Sequence, residues 1–258
     1  MSLAASDVGD GPVVVLVHGV GIGAWAFDAV AAVLAVDHRV LVPHRRGYGP
    51  DGDGDGPVTV PRSATVTEQV DDLLELVGSL GITRATWVGV SGGATLVLAL
   101  ALAAPWIVRA AVVHEPVFGP LAPDLHAALE AAAARLAASA DGPRGVLDFM
   151  AGLVGEERLA ALPPSVCEAI VHRWEVVRAE VPAFIAFAPS AADLAGLAEI
   201  SLVASVGATS PEWRQRAAGV LGERAGARVE VLPGVRHLPQ LEDPEAFEKL
   251  IRGAANPG

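Results

Sequence analysis

The chain has 258 residues, 52% of them hydrophobic, and 30 acidic against 18 basic side chains give a formal net charge of −12. That apolar content excludes disorder and supplies a large core. No basic block or stripe appears, which argues against nucleic-acid binding, and the acidity is read as solubility.

Residues 1–7 show no basic segment followed by an apolar one, so no secretory signal is expected. The longest apolar run, 94–108, is interrupted by Pro105 and falls short of the ~20 residues a membrane span needs. The single cysteine, Cys167, cannot form an internal disulfide. Together these features predict a cytoplasmic protein with no membrane partner. Nothing in the composition selects an oligomeric state.

Val13 to Val17 is a continuous β-branched run, as in a strand covered on both faces. It ends in the glycine-rich turn His18-Gly19-Val20-Gly21-Ile22-Gly23, with a helix predicted from Trp25 to Ala35. Arg39 to Val42 is a second strand, followed by Arg45-Arg46-Gly47-Tyr48-Gly49. The repeat Asp51 to Gly56 matches the start of a calcium loop, but the twelfth position is Arg62 instead of Glu, so it is read as a polar loop. Thr65 and Glu68 form a capping box ahead of apolar residues at helical spacing, and Gly81 stops that helix.

Ala85 to Val88 is a strand, and Ala94 to Leu102 is a strong helix former. Between them stands Gly89-Val90-Ser91-Gly92-Gly93. Strand, sharp turn and helix are the setting of a nucleophile elbow, which holds a serine hydroxyl clear of the sheet. Arg109 to Val113 is the next strand and leads to His114-Glu115-Pro116. From 117 to about 195 strand signals vanish, and helices are expected over 124–138, 143–153 and 165–180. Strands resume at 200–206 and 228–232, followed by Gly234-Val235-Arg236-His237 and a last helix over 244–252. Alternating strands and helices predict an α/β protein with a mostly parallel sheet and helices on both faces.

In such a sheet, functional groups collect at the carboxyl ends of strands. The His18–Gly23 turn, Ser91, Glu115 and His237 all lie there. With their order and spacing, the chain resembles the α/β-hydrolase superfamily from Val13 to Leu250. The resemblance implies a core of residues 1–116 and 196–258, with 117–195 as a helical cap. It also implies a serine nucleophile, Ser91, a base, His237, and oxyanion donors at the backbone N–H groups of Val20 and Gly92, with no cofactor. His18 is expected to shape the oxyanion loop.

One feature departs from the family's pattern. The turn Gly207-Ala208-Thr209-Ser210 places Ser210 where the family carries its catalytic Asp. A serine cannot supply the charge that stabilises an imidazolium. Glu115 is the best substitute, because it ends the neighbouring strand and carries one more methylene than Asp; Glu212 is the second candidate. Ser210→Ala is expected to be nearly silent. Trp25 and Val20 are expected as substrate-pocket walls, whereas Phe149, Met150, Trp174, Phe184 and Phe187 are read as helix packing.

No His-Glu-x-x-His arrangement or paired ligand spacing is present, so no metal is expected. The leading reading is hydrolysis of an ester or related acyl bond in a small, largely apolar substrate. Two alternatives stand beside it. One is other chemistry on the same fold, such as C–C bond hydrolysis, a lyase or a cofactor-independent reaction. The other is a non-catalytic ligand-binding protein.

Overall fold

The computed structural model describes residues 3–49, 65–119 and 121–255. The repeat Asp51 to Gly56 and Arg62 lie outside them. Seven strands form one sheet: β1 (Ala5–Val8), β2 (Val13–Val17), β3 (Arg39–Pro43), β4 (Ala85–Val90), β5 (Val108–His114), β6 (Ser201–Gly207) and β7 (Arg228–Leu232). Their spatial order is β1-β3-β2-β4-β5-β6-β7. β1 is antiparallel to β3, and every other pair is parallel.

The central strands have apolar side chains on both faces because both faces are covered. Every residue of β4 is buried. α3 (Gly92–Ala103) packs against β4 and β5, with α2 (Val66–Ser79) beside it; α12 (Pro244–Ala255) reaches β4, β5 and β6, with α1 (Asp28–Leu34) beside it. Nine of the twelve α3 residues are buried, which explains a helix with almost no polar face. α2 begins at the capping box, with both Thr65 and Glu68 bonds formed, and the chain after it turns through Gly81 at φ 68°.

Between β5 and β6 the described residues form helices only. These are α4 (Pro123–Ala138), α5 (Gly142–Val154), α6 (Glu156–Ala161), α7 (Pro164–His172), α8 (Trp174–Ile185) and α9 (Ala191–Ala195). The helix expected over 165–180 is two helices. The break falls at Arg173, which leaves helical geometry at φ −102° and ψ 17° and turns its guanidinium back onto the Ala169 carbonyl at 2.8 Å. α10 (Glu212–Ala225) joins β6 to β7, and α11 (Pro239–Glu242) follows the histidine loop. No helix among the described residues is long and apolar enough to cross a membrane.

Strand β1 is absent from the sequence-based expectation. Its residues, Ala-Ser-Asp-Val, carry little β propensity. It is held as an edge by ladder bonds to β3 and by the Asp7–Arg39 pair at 2.6 Å.

Candidate active site

Ser91 joins β4 to α3 with φ 56° and ψ −122°. A non-glycine residue in that region costs on the order of 1–3 kcal/mol, so the surroundings must enforce it. Two close approaches do so. A Cβ at Gly89 would overlap the Gly93 backbone, and one at Gly93 would overlap the Val17 carbonyl. Strand and helix therefore meet through glycine alone. The Ser91 N–H donates to the His114 carbonyl at 2.9 Å. Among the described residues one other non-glycine residue has positive φ: Glu115, at 48°.

Glu115 follows the end of β5, and its carboxylate is almost wholly shielded from solvent. Its Oε2 accepts from Nδ1 of His237 at 2.6 Å. Its Oε1 accepts from the Gly207 N–H at 3.1 Å and from the Ser210 hydroxyl at 2.5 Å. The Ser210 hydroxyl also lies 2.9 Å from the Arg236 carbonyl, but its one proton favours the charged acceptor. The buried Arg214 guanidinium sits 3.1 Å from Oε2. Burial pushes the Glu115 carboxyl up, but the Arg214 charge and the His237 N–H outweigh it and hold the group well below the ordinary carboxylate range. Glu115 is therefore a charged acceptor with every oxygen used. The second candidate, Glu212, is exposed and pairs with Arg216 one helical turn on.

The contact fixes the His237 tautomer. With Nδ1–H committed to Glu115, Nε2 is the basic nitrogen. Burial, and after it the Arg214 charge, lowers the imidazole to about 4, against the opposing pull of Glu115. The ring is thus neutral at pH 7 and able to accept a proton. Glu242 holds its loop: one carboxylate accepts from the N–H groups of Arg236, His237 and Leu238 at 2.8–3.0 Å and pairs with Arg158 at 2.9 Å. Among the described residues no hydrogen bond joins Ser91 to His237. Such contacts are often loose before substrate binds.

Val20, Ser91 and Gly92 line one narrow cleft. Its other walls are apolar and come largely from the helices after β5, including Leu129, Phe149 and Phe184. Two expectations are corrected here. Trp25 is not among the lining residues; it is half-buried on the turn Ala24–Phe27, whose other three residues are the buried ones. Phe149 and Phe184, read from sequence as packing, are walls. A third correction concerns Ser210, which is bonded to the Glu115 carboxylate and so is not a bystander.

The chain between Glu115 and those helices is pinned to α3. Thr95, one turn beyond Ser91, accepts from the Val117 N–H at 2.8 Å and donates to the Val117 carbonyl at 2.9 Å. His18 is fully buried. Its Nδ1–H donates to the Gly19 carbonyl, and its Nε2 accepts from the Arg45 N–H. Burial, reinforced by the Arg45 charge, keeps it far below the ordinary imidazole value and therefore neutral.

Sequence reasoning missed Arg214 and Glu242. Each looks like an ordinary helical surface charge in the sequence. Only the fold turns them inward.

The sequence over residues 14–250 matches a model described as the alpha/beta hydrolase family. The chain is 32% identical over 96 residues to the magnesium-chelatase 30 kDa subunit of Rhodobacter capsulatus, covering 37% of this chain and 32% of that protein. It is 31% identical over 112 residues to RutD of Enterobacter cloacae, named as a candidate carbamate hydrolase, covering 43% and 40%. The matches thus span two fifths or less of these curated relatives. A solved esterase from Thermogutta terrifontis superposes with a TM-score of 0.77 at 25% identity, covering 97% of this chain and 91% of that one. The family model spans most of the chain, and the sheet order and whole-chain superposition agree with it: the chain belongs to the alpha/beta hydrolase family.

Proposed function

We propose that this protein is a serine hydrolase that cleaves an ester or related acyl bond, with Ser91 as nucleophile, His237 as base and Glu115 as acid. The observation that carries this reading is the buried Glu115–His237 contact of 2.6 Å at the same sheet end as the strained Ser91. The esterase superposition supports it, and so does the partial match to RutD.

The Ser91 Oγ attacks the substrate carbonyl carbon while its proton passes to Nε2 of His237. Glu115 stabilises the imidazolium that forms. The N–H groups of Val20 and Gly92 receive the charge on the tetrahedral oxygen. The leaving alkoxide takes the proton from His237. Water then attacks the acyl-serine with His237 again as base, which restores the hydroxyl.

Residues 117–195 act as a cap over Ser91 and set specificity. The walls Val20, Val117, Leu129, Phe149, Val181 and Phe184 carry no charge, so the acyl group is small, neutral and largely apolar. A fluorophosphonate should label the protein at one peptide containing Ser91. Ser91→Ala should fold normally and lose both labelling and turnover of a short p-nitrophenyl ester. Unchanged turnover in that variant would refute the reading.

A further inference from the structure

A buried polar cluster lies behind the oxyanion loop, outside the Ser91–His237–Glu115 set. Its centre is Arg45, on the turn after β3. Nη1 donates to Glu180 of α8 at 2.8 Å and to Gln69 of α2 at 2.6 Å. Nη2 donates to the Gly19 carbonyl at 2.8 Å. The Arg45 and Glu180 side chains are 2% and 1% exposed. The Tyr48 hydroxyl donates to the other Glu180 oxygen and accepts from the Gly21 N–H at 2.8 Å. Burial, together with the Glu180 charge, raises the Tyr48 phenol well above its ordinary value, so it stays a donor.

The consequence follows from peptide planarity. The Gly19 carbonyl and the Val20 N–H belong to one rigid amide, so fixing the first aims the second. Two donors, Arg45 Nη2 and His18 Nδ1, fix that carbonyl. The next amide is held through its Gly21 N–H by Tyr48. Donation from a cation to the carbonyl also polarises the amide and strengthens its N–H as a donor.

We infer that Arg45, Glu180 and Tyr48 are positioning residues for the Val20 N–H, and that seating α8 through Glu180 is what assembles the oxyanion site. This rests on the serine chemistry proposed above. It adds that the helices after β5 contribute to the rate as well as to specificity. A bare clamp holding α8 to the sheet would need only the Arg45–Glu180 pair; the bonds to Gly19 and Gly21 tie that clamp to the loop that carries Val20.

The test compares Tyr48→Phe with the double variant Arg45→Met/Glu180→Met. The first removes one oxygen from a ring that stays in place. The second removes both buried charges together, which avoids stranding one of them. On a p-nitrophenyl ester each should lower kcat by roughly 10- to 100-fold, less than or equal to the loss of a whole oxyanion donor. In Tyr48→Phe KM should stay within about twofold, because the ring keeps its place; in the double variant KM is free to move, because Arg45 packs on the Phe184 ring that lines the cleft, and kcat is the readout there. Phenylboronic acid, which forms a tetrahedral adduct on serine, should lose affinity in parallel with kcat. A purely structural role would lower the melting temperature and leave kcat and phenylboronic acid affinity unchanged, and that result overturns the inference. A wild-type protein inert to both fluorophosphonate and esters overturns the serine reading itself, and the inference with it.

Discussion

The Ser210 hydroxyl donates to the Glu115 carboxylate at 2.5 Å, so the residue ending the β6 turn serves the carboxylate that follows β5. Ser210 stands where the family's pattern puts its Asp, and here that position donates to a carboxylate one strand away. Ser210→Ala removes one of the three neutral donors or N–H partners of that carboxylate. A hydrogen bond to a charged group contributes about 1.5–3 kcal/mol. We expect kcat/KM to fall by roughly tenfold, with Ser91 labelling retained; steady-state kinetics on a short ester decides it.

Glu115→Gln should lower kcat by on the order of 10⁴, the loss seen when a triad carboxylate is neutralised. It also strands the Arg214 cation, and breaking a buried pair costs about 3–5 kcal/mol. The melting temperature should therefore drop with the activity. Adding Ser210→Asp returns a carboxylate to the same pocket, beside Arg214. Both activity and melting temperature should recover in part, and recovery of neither would mean that the pocket does not transmit charge to His237.

The pH dependence has a defined sign. In the mechanism proposed above His237 must be neutral to accept the Ser91 proton, and its imidazole is lowered from 6.5 to about 4 by burial first and Arg214 second. The profile of kcat/KM should stay flat below neutrality and fall with a midpoint near 4. Because the folded value is depressed, folding favours the neutral ring. Its stabilising contribution is present above 6.5 and is lost as pH falls through about 4. Arg214→Met removes a charge that opposes protonation, so the acid limb should move to higher pH. An unmoved limb would show that Arg214 does not act on His237.

Glu242→Gln keeps shape but weakens three N–H bonds around the histidine. Since it touches the loop and not the cleft, kcat should fall several-fold with KM nearly constant. Parallel changes in both constants would place Glu242 in substrate binding instead.

Gly93→Ala should abolish soluble expression, because the added methyl group meets the Val17 backbone, which cannot yield inside the sheet. Gly253→Ala, where nothing lies within 4 Å, is the matched control and should express normally.

What could be read from sequence was local. The glycines around Ser91 announce a close approach of strand and helix, and Thr65 with Glu68 announces a helix start, because both effects operate within a few residues. Glu115 could be singled out because a strand end is a topological position. Distant geometry was hidden. Arg45 and Glu180 are 135 residues apart, and neither carries a local signal of burial. The break falls at Arg173, a buried residue beside the Tyr48 ring, in a stretch whose spacing is helical throughout. Trp25 sits where the resemblance puts a pocket wall, yet its direction depends on a turn of 3-10 geometry that composition does not encode.

The Thr95–Val117 clamp has a consequence for protein engineering. It rivets the entrance of the helical segment to the helix that follows Ser91, two residues beyond Glu115. Both partners at Val117 are main-chain groups, so a foreign helical segment keeps the rivet with any residue at 117 except proline, which has no N–H to donate. Proline there would unpin the chain that leads from Glu115, even though Ser91, His237 and Glu115 all remained in place.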